Sequence, residues 1–136
     1  MPVHLEFTVE GPPVSHQSND KLSLRRWKHK VRGEAGKIWS PPPLTELLKF
    51  TLINFHEGVT APMDDDNMVK PIRDALNNFV YVDDKQITHS ELIQVPIGAP
   101  MVIRGAPAVI LDAFKNDVEF LYVRIETAPQ FLQFSK

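Results

Sequence analysis

The sequence predicts one small α/β domain, a mixed β-sheet with helices packed on it. Three observations carry this expectation. The chain has 136 residues, enough for one real hydrophobic core and too few for two ordinary domains, so residues 1–136 read as a single unit. Apolar residues make up 43% and charged residues 24%, a globular balance. Two apolar periods, one of two residues and one near 3.6, interleave along the chain in the order β-α-β-α-β-β-α-β.

The elements follow in order. Val3, Leu5, Phe7 and Val9 alternate with His4, Glu6 and Thr8 as in a half-buried strand, which Gly11-Pro12-Pro13 stops. Residues 11–20 are polar and loop-like. Ser23 is placed to cap a helix running to about Trp39, with Leu24, Trp27, Val31, Ala35 and Ile38 as its apolar stripe. Trp27 falls on that stripe, so both tryptophans read as core rather than as platforms for bases. Pro41-Pro42-Pro43 forbids helix continuation. Leu48, Phe50 and Leu52, with Asn54 in the same phase, predict a second strand at about 47–55. A loop over 56–66 leads into a helix with Asp66 or Asn67 as N-cap and Pro71 near its first turn. Val69, Ile72, Leu76 and Phe79 form its apolar face, and Asn77-Asn78 ends it. Val80, Tyr81 and Val82 begin a strand, Asp83-Asp84 makes a turn or bulge, and a further strand covers about 86–95. Three prolines and two glycines make 96–107 irregular. Ala108 to Asn116 reads as a short helix. The last strand carries either Val118, Phe120 and Tyr122 or Leu121, Val123 and Ile125 inward, and the tail after Pro129 is left open.

Several function classes are excluded or disfavoured. The chain has no cysteine, so disulfides, thiol nucleophiles and Cys-ligated zinc are ruled out. No apolar run approaches the ~18 residues of a membrane helix, and a cytoplasmic protein without membrane partners is expected. No phosphate-cradling G-x-x-x-x-G-K-[ST] is present, so no nucleotide cofactor is expected. His4, His16, His29, His56 and His89 show no paired metal spacing and read as structural or surface residues. Ser15-His16 is not a triad, because sequence adjacency does not supply the geometry.

The net charge of −2 hides a strong asymmetry. Lys21, Arg25, Arg26, Lys28, Lys30, Arg32 and Lys37 face only Glu34, giving that segment +6 and the rest of the chain −8. Five carboxylates outside it fall in two tight groups, Asp64-Asp65-Asp66 and Asp83-Asp84. Such a layout suits a protein that holds a polyanion on one surface and a cation on another. Arg25, Arg26, Lys28, Lys30 and Arg32 are the candidate DNA-phosphate contacts; the competing reading is a solvated helix face.

Adjacent carboxylates repel unless water or a divalent cation neutralises them. Asp64 and Asp66, two residues apart, point to one side if the backbone there is extended. Lys70 lies four residues after Asp66, on the same face if the helix has begun. Asp83-Asp84 offers one further inward carboxylate. Oxygen donors converging from separate elements suit Mg²⁺ or Mn²⁺, and a neighbouring ammonium suits a phosphate oxygen. Together they fit metal-assisted phosphodiester hydrolysis. The competing reading is a solvated acidic loop and an ordinary turn. A calcium loop is disfavoured, since the central glycine and closing glutamate are missing.

Asp64-x-Asp66-Asn67-x-x-Lys70-Pro71-Ile72-x-Asp74-Ala75-Leu76-Asn77, followed by Val80-Tyr81-x-Asp83-Asp84-x-Gln86-Ile87, resembles the RusA family of Holliday junction resolvases. Gly11-Pro12-Pro13-Val14-Ser15 is also similar to the opening of that family. The resemblance implies a RusA-like fold and a Mg²⁺-dependent endodeoxyribonuclease. It implies a homodimer that resolves four-way branched DNA in recombination and repair by paired symmetric nicks. It also implies Asp64, Asp66 and Asp84 as the acidic, metal-binding residues, Asp83 being the reserve for Asp84, with Lys70 as the essential lysine. Asp74 matches the pattern too, and an i,i+4 ion pair with Lys70 accounts for it equally well. The segment 96–116, with its extra short helix, is longer than the pattern requires. A non-catalytic binder of branched DNA that keeps the fold is the alternative.

Overall fold

A computed structural model describes residues 2–58, 63–98 and 103–132. Parts of the loop expected at 56–66, of the irregular 96–107 segment and of the C-terminal tail fall outside the described residues. The elements are β1 (Val3–Glu10), α1 (Lys21–Gly36), β2 (Leu48–His56), α2 (Asp65–Leu76), β3 (Ile87–Pro96), α3 (Ala108–Phe114) and β4 (Phe120–Thr127), with a 3₁₀ turn at Asp84–Gln86 ahead of β3. The four strands form one mixed sheet in the order β1-β4-β2-β3. β4 is antiparallel to both β1 and β2, whereas β2 and β3 run parallel through the crossover that contains α2. The expected small α/β domain with helices packed on a mixed sheet is what folds.

Period-two alternation explains the sheet's two faces. Leu5, Phe7 and Val9 of β1, Leu48, Phe50 and Leu52 of β2, and Leu121, Val123 and Ile125 of β4 turn toward α1 and α2. They meet Trp27, Val31 and Ala35 from α1 and Met68, Ile72, Ala75 and Leu76 from α2. Phe55, Val95, Phe120 and Tyr122 face the other way and form a second core with Ile110 and Ala113 of α3. Phe120 stacks on Phe55 with centroids 4.6 Å apart, and Phe114 meets both edge-on. β4 therefore serves both phases suggested by its sequence. Val3 is 48% exposed because the register with β4 shifts between Val3 and Leu5.

Five expectations need correction. The N-cap of α1 is Asp20, not Ser23: Asp20 Oδ1 accepts from the Ser23 backbone N–H at 3.0 Å, and Oδ2 from the Ser23 hydroxyl at 2.7 Å. That helix ends at Gly36, so Ile38 leaves the stripe and is exposed, while Trp39 turns inward and its indole N–H donates to the Phe79 carbonyl at 3.1 Å. The N-cap of α2 is Asp64 rather than Asp66 or Asn67, and Pro71 lies inside the helix rather than in its first turn. Finally, Val80–Val82 is no strand. Asn78 turns the chain at φ 60°, and residues 80 and 82 spend their backbone groups on Leu44, with Leu44 N–H donating to Val80 O at 2.8 Å and Val82 N–H to Leu44 O at 3.2 Å. Among the described residues the sheet has four strands where the sequence suggested five.

A proline within a helix costs about 3 kcal/mol, because the carbonyl four residues back loses its donor and the ring crowds that carbonyl. Here that carbonyl belongs to Asn67. It accepts instead from the backbone N–H of His16 at 2.9 Å. The loop between β1 and α1 is thereby tied to the first turns of α2. Pro13 is buried and Val14 packs on the main core, which anchors the same loop from its other side.

Candidate active site

The acidic motif begins where α2 begins. Asp64 is the N-cap in extended conformation, φ −66° and ψ 149°, and its side chain makes no capping hydrogen bond. Asp65 and Asp66 occupy the first turn, where carboxylates are favoured by the unpaired N–H groups of the helix start. Because the helix starts at Asp65, a turn of roughly 100° per residue replaces the two-residue alternation expected for Asp64 and Asp66. Their side chains therefore do not share a side by strand geometry. Asp66 and Lys70, four apart, do share a helix face.

Asp66, Asn67, Val69, Lys70 and Arg73 of α2 line an open cleft of about 300 Å³, closed on its other walls by Asp84 and His16. The turn before β3 supplies Asp84, and the sequence explains which of the paired aspartates faces inward. Asp83 caps the 3₁₀ turn: its side chain accepts from the Lys85 N–H at 2.9 Å, and Gln86 Oε1 accepts from the Asp83 N–H at 3.0 Å. The Lys85 N–H, foremost, holds the Asp83 carboxyl below its usual range. Gln86 Nε2 then donates to the carbonyls of Leu44 and Glu46, each at 2.9 Å, which fixes the turn against the preceding connector. Asp84 is left to face the cleft, with Oδ2 3.7 Å from Lys70 Nζ.

Lys70 is the centre of a chain of alternating charges. Its Nζ donates to Asp74 Oδ1 at 2.9 Å, and Asp74 Oδ2 lies 3.7 Å from Lys28 Nζ on the basic helix. The hydrogen bond to Asp74, foremost, holds the Lys70 ammonium above its ordinary value. Lys70 thus presents a positive charge at neutral pH rather than a free amine. Tyr81, buried beneath the turn, donates its hydroxyl to the Arg73 carbonyl at 2.8 Å. Burial pushes that hydroxyl well above its ordinary range, with Asp84 adding to the effect, so it stays a neutral donor.

Of the expected site residues, Asp66, Lys70 and Asp84 share one cleft. Asp64 stays exposed at the helix start and is not part of the cleft's lining. Among the described residues, no group of three or more His, Asp or Glu side chains is arranged to hold a metal ion. The remaining donors nonetheless fit a hard cation. Mg²⁺ is commonly held by one or two carboxylates, with water and substrate phosphate completing its shell, so Asp66 and Asp84 are an adequate protein contribution. Two lining residues escaped the sequence reading, His16 and Arg73. The Arg73 guanidinium lies over the Phe50 ring at 5.2 Å and donates to the Ser90 hydroxyl. For Arg73 the signal was its i+3 spacing from Lys70, while no periodicity could bring a loop histidine to this wall.

On α1, Arg25, Arg26, Lys30 and Arg32 are exposed. Arg25, Arg26, His29 and Lys30 surround a shallow depression of about 300 Å³. Lys28 instead turns toward Asp74, and the Arg32 guanidinium rests 4.8 Å over the Phe79 ring. No helix among the described residues is long and apolar enough to cross a membrane.

An acidic cleft beside a lysine, on a small mixed-sheet domain with a basic helix, is an arrangement that suits phosphodiester chemistry. The family model for the endodeoxyribonuclease RusA matches residues 12–103, which takes in the loop, both long helices and the whole acidic motif. The chain belongs to the RusA family, whose catalysis is metal-dependent and whose members are endonucleases that resolve Holliday junctions. No individually curated protein matches the chain significantly.

Proposed function

We propose that the cleft of Asp66, Lys70 and Asp84 is where this endonuclease cuts branched DNA, with Mg²⁺ (or Mn²⁺) as its cofactor. Asp66 and Asp84 would hold the cation, with Asp64, exposed at the start of the same helix, as a further carboxylate. When bound, the cation would polarise the scissile phosphate and make a bound water acidic. The chain's own contribution is positioning and charge. Lys70 offers its ammonium to a phosphate oxygen as negative charge develops there. Asp74 holds that ammonium in place, and Asp83, Gln86 and Tyr81 hold Asp84 and the α2 backbone around it. Arg25, Arg26 and Lys30, with Arg32 and Lys28 at the margin, would bind a duplex arm through its phosphates.

Paired nicks require two such clefts, and a two-fold homodimer supplies them from one chain. Exposed apolar side chains near both ends, Val3, Phe131 and Leu132, favour a contact between copies. The observation that carries the reading is that Asp84 and Lys70, fourteen residues apart in the chain, meet at 3.7 Å on the cleft that Asp66 lines. Cleavage of a four-way junction with Mg²⁺ tests it. Lys70→Ala is expected to bind the junction and leave it uncut; a variant that cuts as the wild type does would remove Lys70 from the chemistry.

A further inference from the structure

The loop between β1 and α1 reaches the cleft by a specific device. Pro71 has no N–H, so the Asn67 carbonyl is open to an outside donor, and the His16 N–H takes it at 2.9 Å. The loop is ordered around that contact. Ser15 Oγ accepts from the Gln17 N–H at 3.1 Å, and Ser15 O from the Ser18 N–H at 3.0 Å. His16 is exposed and stands on the wall of the cleft beside Asp66, Lys70, Arg73 and Asp84. A residue that carries a ring N–H donor and whose backbone is pinned at the wall of an acidic cleft is placed to meet an anion entering that cleft.

We propose that His16 is a substrate-contacting residue of this nuclease, its imidazole N–H donating to an oxygen of the scissile DNA phosphate, and that Pro71 docks the loop that carries it. This rests on the cleft being the site of cleavage. The chain then grips the phosphate from two sides, by Lys70 from α2 and by His16 from the loop.

The test measures kcat for Mg²⁺-dependent junction cleavage together with junction affinity in EDTA and melting temperature. His16→Ala should lower kcat roughly 10- to 100-fold, as expected for removal of one phosphate donor at an open site. Junction affinity and melting temperature should hold near wild type. His16→Gln, which keeps an N–H donor at similar reach, should recover part of the loss. Gln17→Ala, whose side chain lies outside the cleft, controls for disturbance of the loop. Pro71→Ala returns an N–H that competes for the Asn67 carbonyl, and should lower kcat in the same direction. Wild-type kcat in His16→Ala would overturn the proposed role, and a fall in Gln17→Ala as large as in His16→Ala would reduce it to loop integrity. Wild-type kcat in Asp66→Asn would overturn the cleft itself, and the role of His16 with it.

Discussion

Asp83 and Asp84 show how adjacent, chemically identical residues receive different tasks. One caps a turn, the other faces a lysine ammonium. The expected consequence is a clean separation of phenotypes. Asp84→Asn should keep the wild-type melting temperature and lose junction cleavage, while Asp83→Ala should lower the melting temperature and retain cleavage under conditions where it is folded. Thermal melts and a cleavage assay on the same two preparations check this, and the reverse pattern would exchange their roles. The pair between Lys70 and Asp74 is judged by magnitude. An i,i+4 ion pair at this exposure is worth about 0.3–0.5 kcal/mol, too little to matter for folding. Its effect is to aim the ammonium. Part of this was legible in the sequence: the grouping of Asp66 with Lys70 follows from spacing, and the choice of Asp84 over Asp83 came from the resemblance to the RusA family. The placing of Asp64 was not, since the alternation argument needed extended backbone where a helix had already begun. His16 was illegible for another reason: a backbone hydrogen bond across fifty-one residues, opened by a missing proline N–H, leaves no mark in local periodicity.

At the scale of elements, α1 couples two properties that separate variants can distinguish. Its start depends on Asp20, whose hydrogen bonds with Ser23 hold the carboxyl below the ordinary value of 3.8. A depressed folded-state pKa means that the stabilisation is complete above the unfolded value and is lost as pH falls through the folded one. Asp20→Ala should therefore melt earlier than wild type at neutral pH, and the gap should close as the pH drops below 3.8. A gap independent of pH would show that the cap acts through shape rather than charge. The outer face of α1 is the proposed phosphate-binding surface. Replacing Arg25 and Arg26 by Ala should weaken junction binding and reduce the slope of log affinity against log salt by about 1.8, near 0.9 for each phosphate left without its cationic partner. An unchanged slope would take this face out of the DNA interface. The helices and most strands were readable from period and composition. The false strand at Val80–Val82 shows the limit: a tyrosine between two β-branched valines reads as a strand, yet its backbone partners were claimed by Leu44 on one side and a left-handed Asn78 on the other.

For the whole molecule, the sheet is what brings distant parts of the motif together. The parallel pairing of β2 with β3 returns the chain beside α2, and this crossover carries Asp84 back to Lys70. Phe50 of β2, 1% exposed, supports both α2 and the Arg73 guanidinium. Phe50→Ala should cost about 3–5 kcal/mol in denaturant unfolding and impair cleavage by loosening the cleft. A loss under about 1 kcal/mol would mean that α2 is positioned by other side chains. The basic helix and the acidic cleft are joined through Lys28, Asp74 and Lys70, so a duplex arm bound as proposed on α1 would lie next to the phosphates that the cleft would cut.

The most direct measurement is Mg²⁺-dependent cleavage of a four-way DNA junction by the wild type and by Asp66→Asn, with junction binding followed in parallel. The expected result is paired nicks across the junction for the wild type, none for the variant, and binding by both. Equal cleavage by the two proteins would contradict the assignment of the chemistry to this cleft.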